Sequence, residues 1–137
     1  MQPAQTPAGK LATAFGDLDA MSALYHDDVV WTLPASMTES GGPFATMAPF
    51  AGKAAVCQFN EVINAAYDAT TVRVVISDEL EQGGLSVARF TYSAAMIPQG
   101  EVYEGEYLLL VRTQNGLIIE VREFVDTWRV MKARGQA

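Results

Sequence analysis

The dipeptide Asn115-Gly116 constrains this chain more than any other feature. Both residues tolerate positive φ, as a two-residue hairpin turn requires, and they separate two β-rich runs at 101–113 and 117–131. Pro98-Gln99-Gly100 turns residues 85–97 into 101–113, and Glu81-Gln82-Gly83-Gly84 follows a β-branched run at 71–77. The second half therefore reads as long antiparallel strands. The first half has helical spacing instead. Leu11, Ala14, Phe15, Leu18, Met21, Leu24 and Tyr25 recur at three- and four-residue steps, broken at Gly16-Asp17, which gives two short helices with Asp17 capping the second. Val56, Phe59, Ile63 and Ala66/Tyr67 make one stripe of a helix over 52–67. Residues 25–28 read as a polar turn, 29–33 as a short strand ended by Pro34, and 35–51 as a long loop whose Met37, Phe44, Met47 and Phe50 suit a lid. Helices first and antiparallel strands after them give an α+β fold, with helices packed on one face of a curved sheet.

Composition narrows what such a fold does. The 137 residues suffice for one domain, read here as residues 10–137 behind a flexible leader at 1–9. The net charge of −7 argues against nucleic-acid and anionic-membrane partners, which are held by Lys and Arg. One Cys forms no internal disulfide. One His and one Cys cannot build a zinc site of the usual kind, and no Asp-x-Asp-x-Asp-Gly cluster is present, so the expectation is a function without metal or cofactor. No apolar run approaches the ~18 residues of a membrane span, and the first ten residues lack the charged and apolar regions of a signal peptide; a cytoplasmic protein is expected. His26, in a turn, reads as exposed or capping, and Cys57 as a small core residue.

Centring the hairpins on Gln99 and on Asn115-Gly116 gives a register. It places Arg89, Leu109 and Arg122 in one row, Thr91, Tyr107 and Phe124 in the next, then Ser93, Gly105 and Asp126, then Ala95, Tyr103 and Trp128. All share one face by the two-residue period. Large aromatics, small residues and three charged groups on one face predict a pocket, with Gly105 leaving room opposite Asp126. The other face carries Ala88, Phe90, Tyr92, Leu108, Leu110, Val121 and Val125 with Glu104, Glu106, Glu123 and Arg129. Helices cover one face, so a second copy of the chain is expected over this one, as a homodimer through the outer sheet face.

The order of parts resembles a known superfamily. Gly16-Asp17-Leu18-Asp19-Ala20, then Leu24-Tyr25-His26-Asp27-Asp28-Val29-Val30-Trp31, then Phe50-Ala51-Gly52-Lys53-Ala54-Ala55-Val56 opening a helix, then the segment from Asn115 to Asp126 look like the SnoaL-like branch of the nuclear transport factor 2-like superfamily. The resemblance implies a curved antiparallel sheet wrapped around N-terminal helices to form a cone with an internal pocket. That scaffold hosts isomerases, cyclases, dehydratases, hydrolases and binding modules. The ketosteroid isomerase pattern would put its base near Leu33, its oxyanion-hole acid near Leu108 and a tyrosine near Gly9, and none of these is present. Scytalone dehydratase would need two histidines. Limonene epoxide hydrolase implies an Arg-x-Asp, for which this chain has Arg89-Phe90-Thr91, a last-strand acid matched by Asp126, and a Tyr-x-Asn replaced by Val30-Trp31-Thr32. The polyketide cyclases of the SnoaL type are closest in pattern, and resemblance to them implies an aspartate on the last strand, Asp126 here, acting as acid and base in an intramolecular aldol closure.

Two readings follow. In one, a cofactor-free enzyme takes a small apolar, cyclic or polyketide-like molecule, with Asp126 and Arg89 catalytic and Tyr103, Tyr107, Phe124, Trp128, Arg122 and Thr91 binding substrate. In the other, the same cone is a binding or dimerisation module without chemistry.

Overall fold

The computed structural model describes residues 4–135. Helix α1 (Pro7–Thr13) starts where Pro7 fits the first helical position and Thr6 caps it, accepting from the Gly9 amide at 3.0 Å. The same hydroxyl donates to Glu79 at 2.6 Å, and the Ala8 amide donates to Ser86 Oγ at 3.0 Å. Ala8, Gly9, Leu11 and Ala12 are buried. The expected leader is corrected here: residues 6–9 are tied into the core, because a capped turn with small residues packs closely on the sheet. Residues 1–3 of that leader lie outside the described residues.

Helix α2 (Leu18–Ser22) is capped by Asp17, which accepts from the Ala20 amide at 3.1 Å, as its position in the sequence implies. Strand β1 (Tyr25–Thr32) begins four residues earlier than expected and takes in the segment read as a turn. Residues 35–51 are no loose loop. They hold helix α3 (Ala35–Thr38) and strand β2 (Phe50–Ala51), and Met37, Phe44 and Phe50 are buried. Helix α4 (Lys53–Asn64) buries Val56, Phe59 and Asn60, and Phe59 is the platform on which Phe44 and Phe50 rest, at ring separations of 5.6 and 4.3 Å. A 3-10 turn (Ala69–Thr71) leads into β3 (Arg73–Gln82), β4 (Leu85–Ala95), β5 (Val102–Gln114) and β6 (Leu117–Val125).

The six strands lie in the order β2-β1-β6-β5-β4-β3, antiparallel except for the parallel pair β1–β6. Helices α1 and α4 pack on this sheet. The α+β expectation holds. The last strand, however, stops at Val125, and helix α5 (Thr127–Ala133) follows, with Asp126 as its N-cap.

The register differs from the expected one at two places, and each flips a strand. The β4–β5 connection closes through Met96 and Glu101, with Ala95 opposite Val102, so it is centred between Pro98 and Gln99 rather than on Gln99. The Asn115-Gly116 turn forms as expected, with φ of 54° and 80° and Gln114 opposite Leu117. One step later Thr113 pairs Ile118 while Arg112 pairs Glu120, which leaves Ile119 as an extra residue in β6. A one-residue bulge exchanges the faces of everything beyond it. The inner face therefore carries Ala88, Phe90, Tyr92, Tyr103, Gly105, Tyr107, Leu109, Val121 and Glu123. The outer face carries Arg89, Thr91, Glu106, Leu108, Leu110, Arg122 and Phe124. Most of the apolar set from which a second copy was expected is thus the inner face, covered by the chain's own helices.

Candidate active site

The inner face, β1 and the helices enclose a cavity of about 60 Å³, several times the ~10–15 Å³ that one water needs. Its walls are aromatic: Trp31 from β1, Phe59 and Phe44 beside it, Tyr92 and Tyr107 from the sheet, and Tyr67 after α4. Tyr92 meets Tyr67 and Tyr107 edge-on, at ring separations of 5.7 and 5.8 Å. Into this space β6 brings one carboxylate, Glu123, because the Ile119 bulge turns it inward. The Trp31 Nε1–H donates to Glu123 Oε1 at 3.1 Å. Among the described residues Glu123 makes no ion pair.

Those surroundings decide its chemistry. Burial among aromatic rings penalises the anion and pushes the Glu123 carboxyl up to about 7, with the indole N–H pulling the other way. A carboxyl poised there can give or take a proton near neutrality. The phenols around it move further from ionisation. Burial raises Tyr107 and Tyr92, and lifts Tyr103 to about 12 against the bond it shares with Tyr107 at 3.0 Å between the hydroxyls. They are neutral hydrogen-bonding groups. Gly105 is required by this pairing, since a Cβ there would collide with Tyr103 Oη where the ring crosses the strand.

The sequence-derived site residues divide in two. Tyr103 and Tyr107 face inward, and Tyr107 lines the cavity. Arg89, Thr91, Arg122 and Phe124 lie on the outer face, a correction that follows from the two register shifts. Arg89 pairs there with Asp78 at 2.8 Å and Glu106 at 3.2 Å, and Arg122 with Glu120 at 3.4 Å. Phe124 is 49% exposed and Trp128, on α5, is 64% exposed. Asp126 is exposed and accepts from the Arg129 amide at 3.2 Å. Its geometry is that of a helix cap outside the cavity, so Asp126→Ala should cost about 0.5–2 kcal/mol in urea unfolding. A loss well beyond that range would show that the residue does more than cap α5.

Glu123 stands on the face that the sequence reading gave to a second copy of the chain, so it was not among the expected site residues. A signal was present: Val121 and Val125 flank it at the two-residue period, and that face was already too apolar for water. Among the described residues no group of three His, Cys, Asp or Glu could hold a metal ion, and no helix is long and apolar enough to cross a membrane. His26, read as exposed or capping in a turn, is half-buried on β1, where its Nδ1 accepts from the Asp28 amide at 3.0 Å.

Comparison with known proteins identifies the family and the fold. Residues 12–121 match the model of the SnoaL-like domain, a match that ends just short of Glu123. No curated protein matches in sequence. Solved structures do match in shape. A nuclear transport factor 2-like protein of unknown function from Burkholderia pseudomallei is 20% identical at a TM-score of 0.74, over 96% of this chain and 97% of its own. A candidate SnoaL-like polyketide cyclase from Jannaschia sp. CCS1 is 17% identical at a TM-score of 0.71, over 97% of this chain and 94% of its own. TerC, co-crystallised with polyporic acid, is also 17% identical at 0.71, over 93% and 97%. At these identities the likeness speaks for the fold. The chain belongs to the SnoaL-like domain family and has the nuclear transport factor 2-like fold.

Proposed function

We propose that the protein is a cofactor-free acid–base catalyst of the cyclase or isomerase type, acting on a small apolar cyclic molecule, with Glu123 moving the proton. One observation carries this reading: a single carboxylate, held by an indole N–H, faces an aromatic cavity with its pKa near 7. Glu123 is half-buried and, among the described residues, has no cationic partner at ion-pair distance, a placement that costs stability. Proton abstraction next to a carbonyl and return of a proton to oxygen need only one such group, provided the substrate is held in position. The neutral phenol of Tyr107 is a fitting partner for the carbonyl oxygen. The candidate cyclase among the structural neighbours agrees in kind with this chemistry.

The test needs no natural substrate. 2-Tetralone, an aromatic cyclic ketone, is incubated with the protein in D2O and loss of its α-proton signal is followed by NMR. The protein should accelerate exchange, Glu123→Gln should remove about 10²–10⁴-fold of that acceleration, and Asp126→Asn should keep it. Exchange unaffected by Glu123→Gln, or absent in the native protein, would leave a binding module of the same fold.

A further inference from the structure

Arg134 closes α5 and lines two spaces at once. It belongs to the wall of the aromatic cavity, and it also borders an open, more polar groove of about 360 Å³ that Gln99 and Lys132 line. Its guanidinium lies over the Phe44 ring, 5.6 Å from the centroid, a contact that fixes the cation without neutralising it. It is also close enough to Tyr67 to draw that phenol back from the rise that burial imposes. Among the described residues only Arg89, Arg112 and Arg122 of the 9 Lys+Arg make ion pairs, and of the cations that make none Arg134 is the one that lines the aromatic cavity. On the outer sheet face Arg89, Arg112 and Arg122 are each paired, with Asp78, Glu106 or Glu120. Among the described residues neither Arg134 nor Lys132 makes an ion pair, and both stand beside the groove.

We propose that Arg134, assisted by Lys132, is the anion anchor at the mouth of the cavity, and that the ligand is an apolar ring bearing one anionic oxygen group, a carboxylate or an ionised enol. The inference rests on the reading of the aromatic cavity as a ligand site and adds the class of ligand. The ring would enter between Trp31, Phe44 and Tyr92, where the space of about 60 Å³ must widen toward the ~150 Å³ that takes up a benzene ring, and its anionic end would point out past Phe44 to the guanidinium. A planar guanidinium matches such an oxygen pair with two hydrogen bonds, and desolvation beside Phe44 strengthens both. Charge placement also separates binding from chemistry, because the anchoring cation is on α5 and the proton-moving carboxyl is on β6.

Benzoate and benzamide share a ring and a shape and differ in charge, so isothermal titration with both tests the anchor. The native protein should bind benzoate at least about tenfold more tightly than benzamide. Arg134→Gln should bring the two within about twofold by weakening benzoate alone, and Arg134→Lys should keep part of the preference. Arg134 is half-buried at a helix end, and an unchanged melting temperature in the variants verifies that they fold. Equal affinity for the two probes in the native protein, a full preference surviving in Arg134→Gln, or failure of benzoate to bind overturns the proposal. None of these results touches tetralone exchange, which reads Glu123 and stands or falls separately.

Discussion

Glu123→Gln is expected to make the protein more stable at alkaline pH while removing its proton-transfer activity. The carboxyl titrates near 4.5 in the unfolded chain and near 7 in the folded one. Below about pH 4.5 both states hold the proton and the group contributes no pH dependence. Between about 4.5 and 7 the folded state holds a proton that the unfolded state has released, so stability falls as pH rises, by about 1.4 kcal/mol per unit. The sum over that window is about 3 kcal/mol, lost once pH passes the folded value. The amide is neutral throughout and can still accept from Trp31 Nε1–H, so the variant should keep the fold and lose the slope. Urea unfolding from pH 4 to 8 gives the result directly: the two stability curves should diverge above about pH 5, with the variant about 2–3 kcal/mol more stable at pH 8. Parallel curves would mean that Glu123 is solvated and would remove the ground for placing acid–base chemistry on it.

The largest loss of stability is expected from Phe59→Ala, at about 3–5 kcal/mol. Phe59 is 2% exposed, and its ring meets Phe50 at 4.3 Å, Phe44 at 5.6 Å and Trp31 at 5.6 Å. Truncation removes the shared surface of all three at once. The gap cannot collapse easily, since Trp31 on β1, Phe50 on β2 and Phe44 border it. The void would also join the existing cavity, being lined by apolar groups that do not welcome water. Thermal melting should drop by about 10–20 °C for a chain of this size. The effect reaches the site as well, because Phe44 carries the contact to Arg134 and Trp31 carries the one to Glu123. A loss under about 1 kcal/mol would show that the segment over 35–51 rests on something other than this ring.

How far these features could be read from sequence follows the range over which each is determined. Asp17, the stripe on α4 and the Asn115-Gly116 turn are local, since each is a choice made by a few neighbouring residues, and they stand where the spacing puts them. Tyr103 and Tyr107 were placed on the correct face because β5 runs from one turn to the next without a bulge. Glu123 and Asp126 were exchanged in role by two irregularities. Ile119 contributes no pattern that distinguishes it from a regular strand residue, and a bulge is stabilised by the sheet around it. Beyond Val125 the β-branched Thr127 and Val130 favour extending the strand, whereas the structure uses Asp126 to cap a helix; the cap signature was present but competed with propensity. The remaining walls come from β1, α4 and the 35–51 segment, and no short-range rule brings Trp31 to Glu123 across 92 residues.

The Ile119 bulge has a bearing on how relatives are compared. In a regular hairpin the positions facing the cavity would be Glu120, Arg122 and Phe124, a mixed and partly cationic set; with one extra residue they become Val121 and Glu123. The sign of the charge offered to a ligand is therefore encoded in the backbone, through a single residue whose own side chain does no chemistry. Two members with the same last-strand letters can then carry opposite electrostatics, and a functional residue should be transferred between them only after their bulges have been superposed.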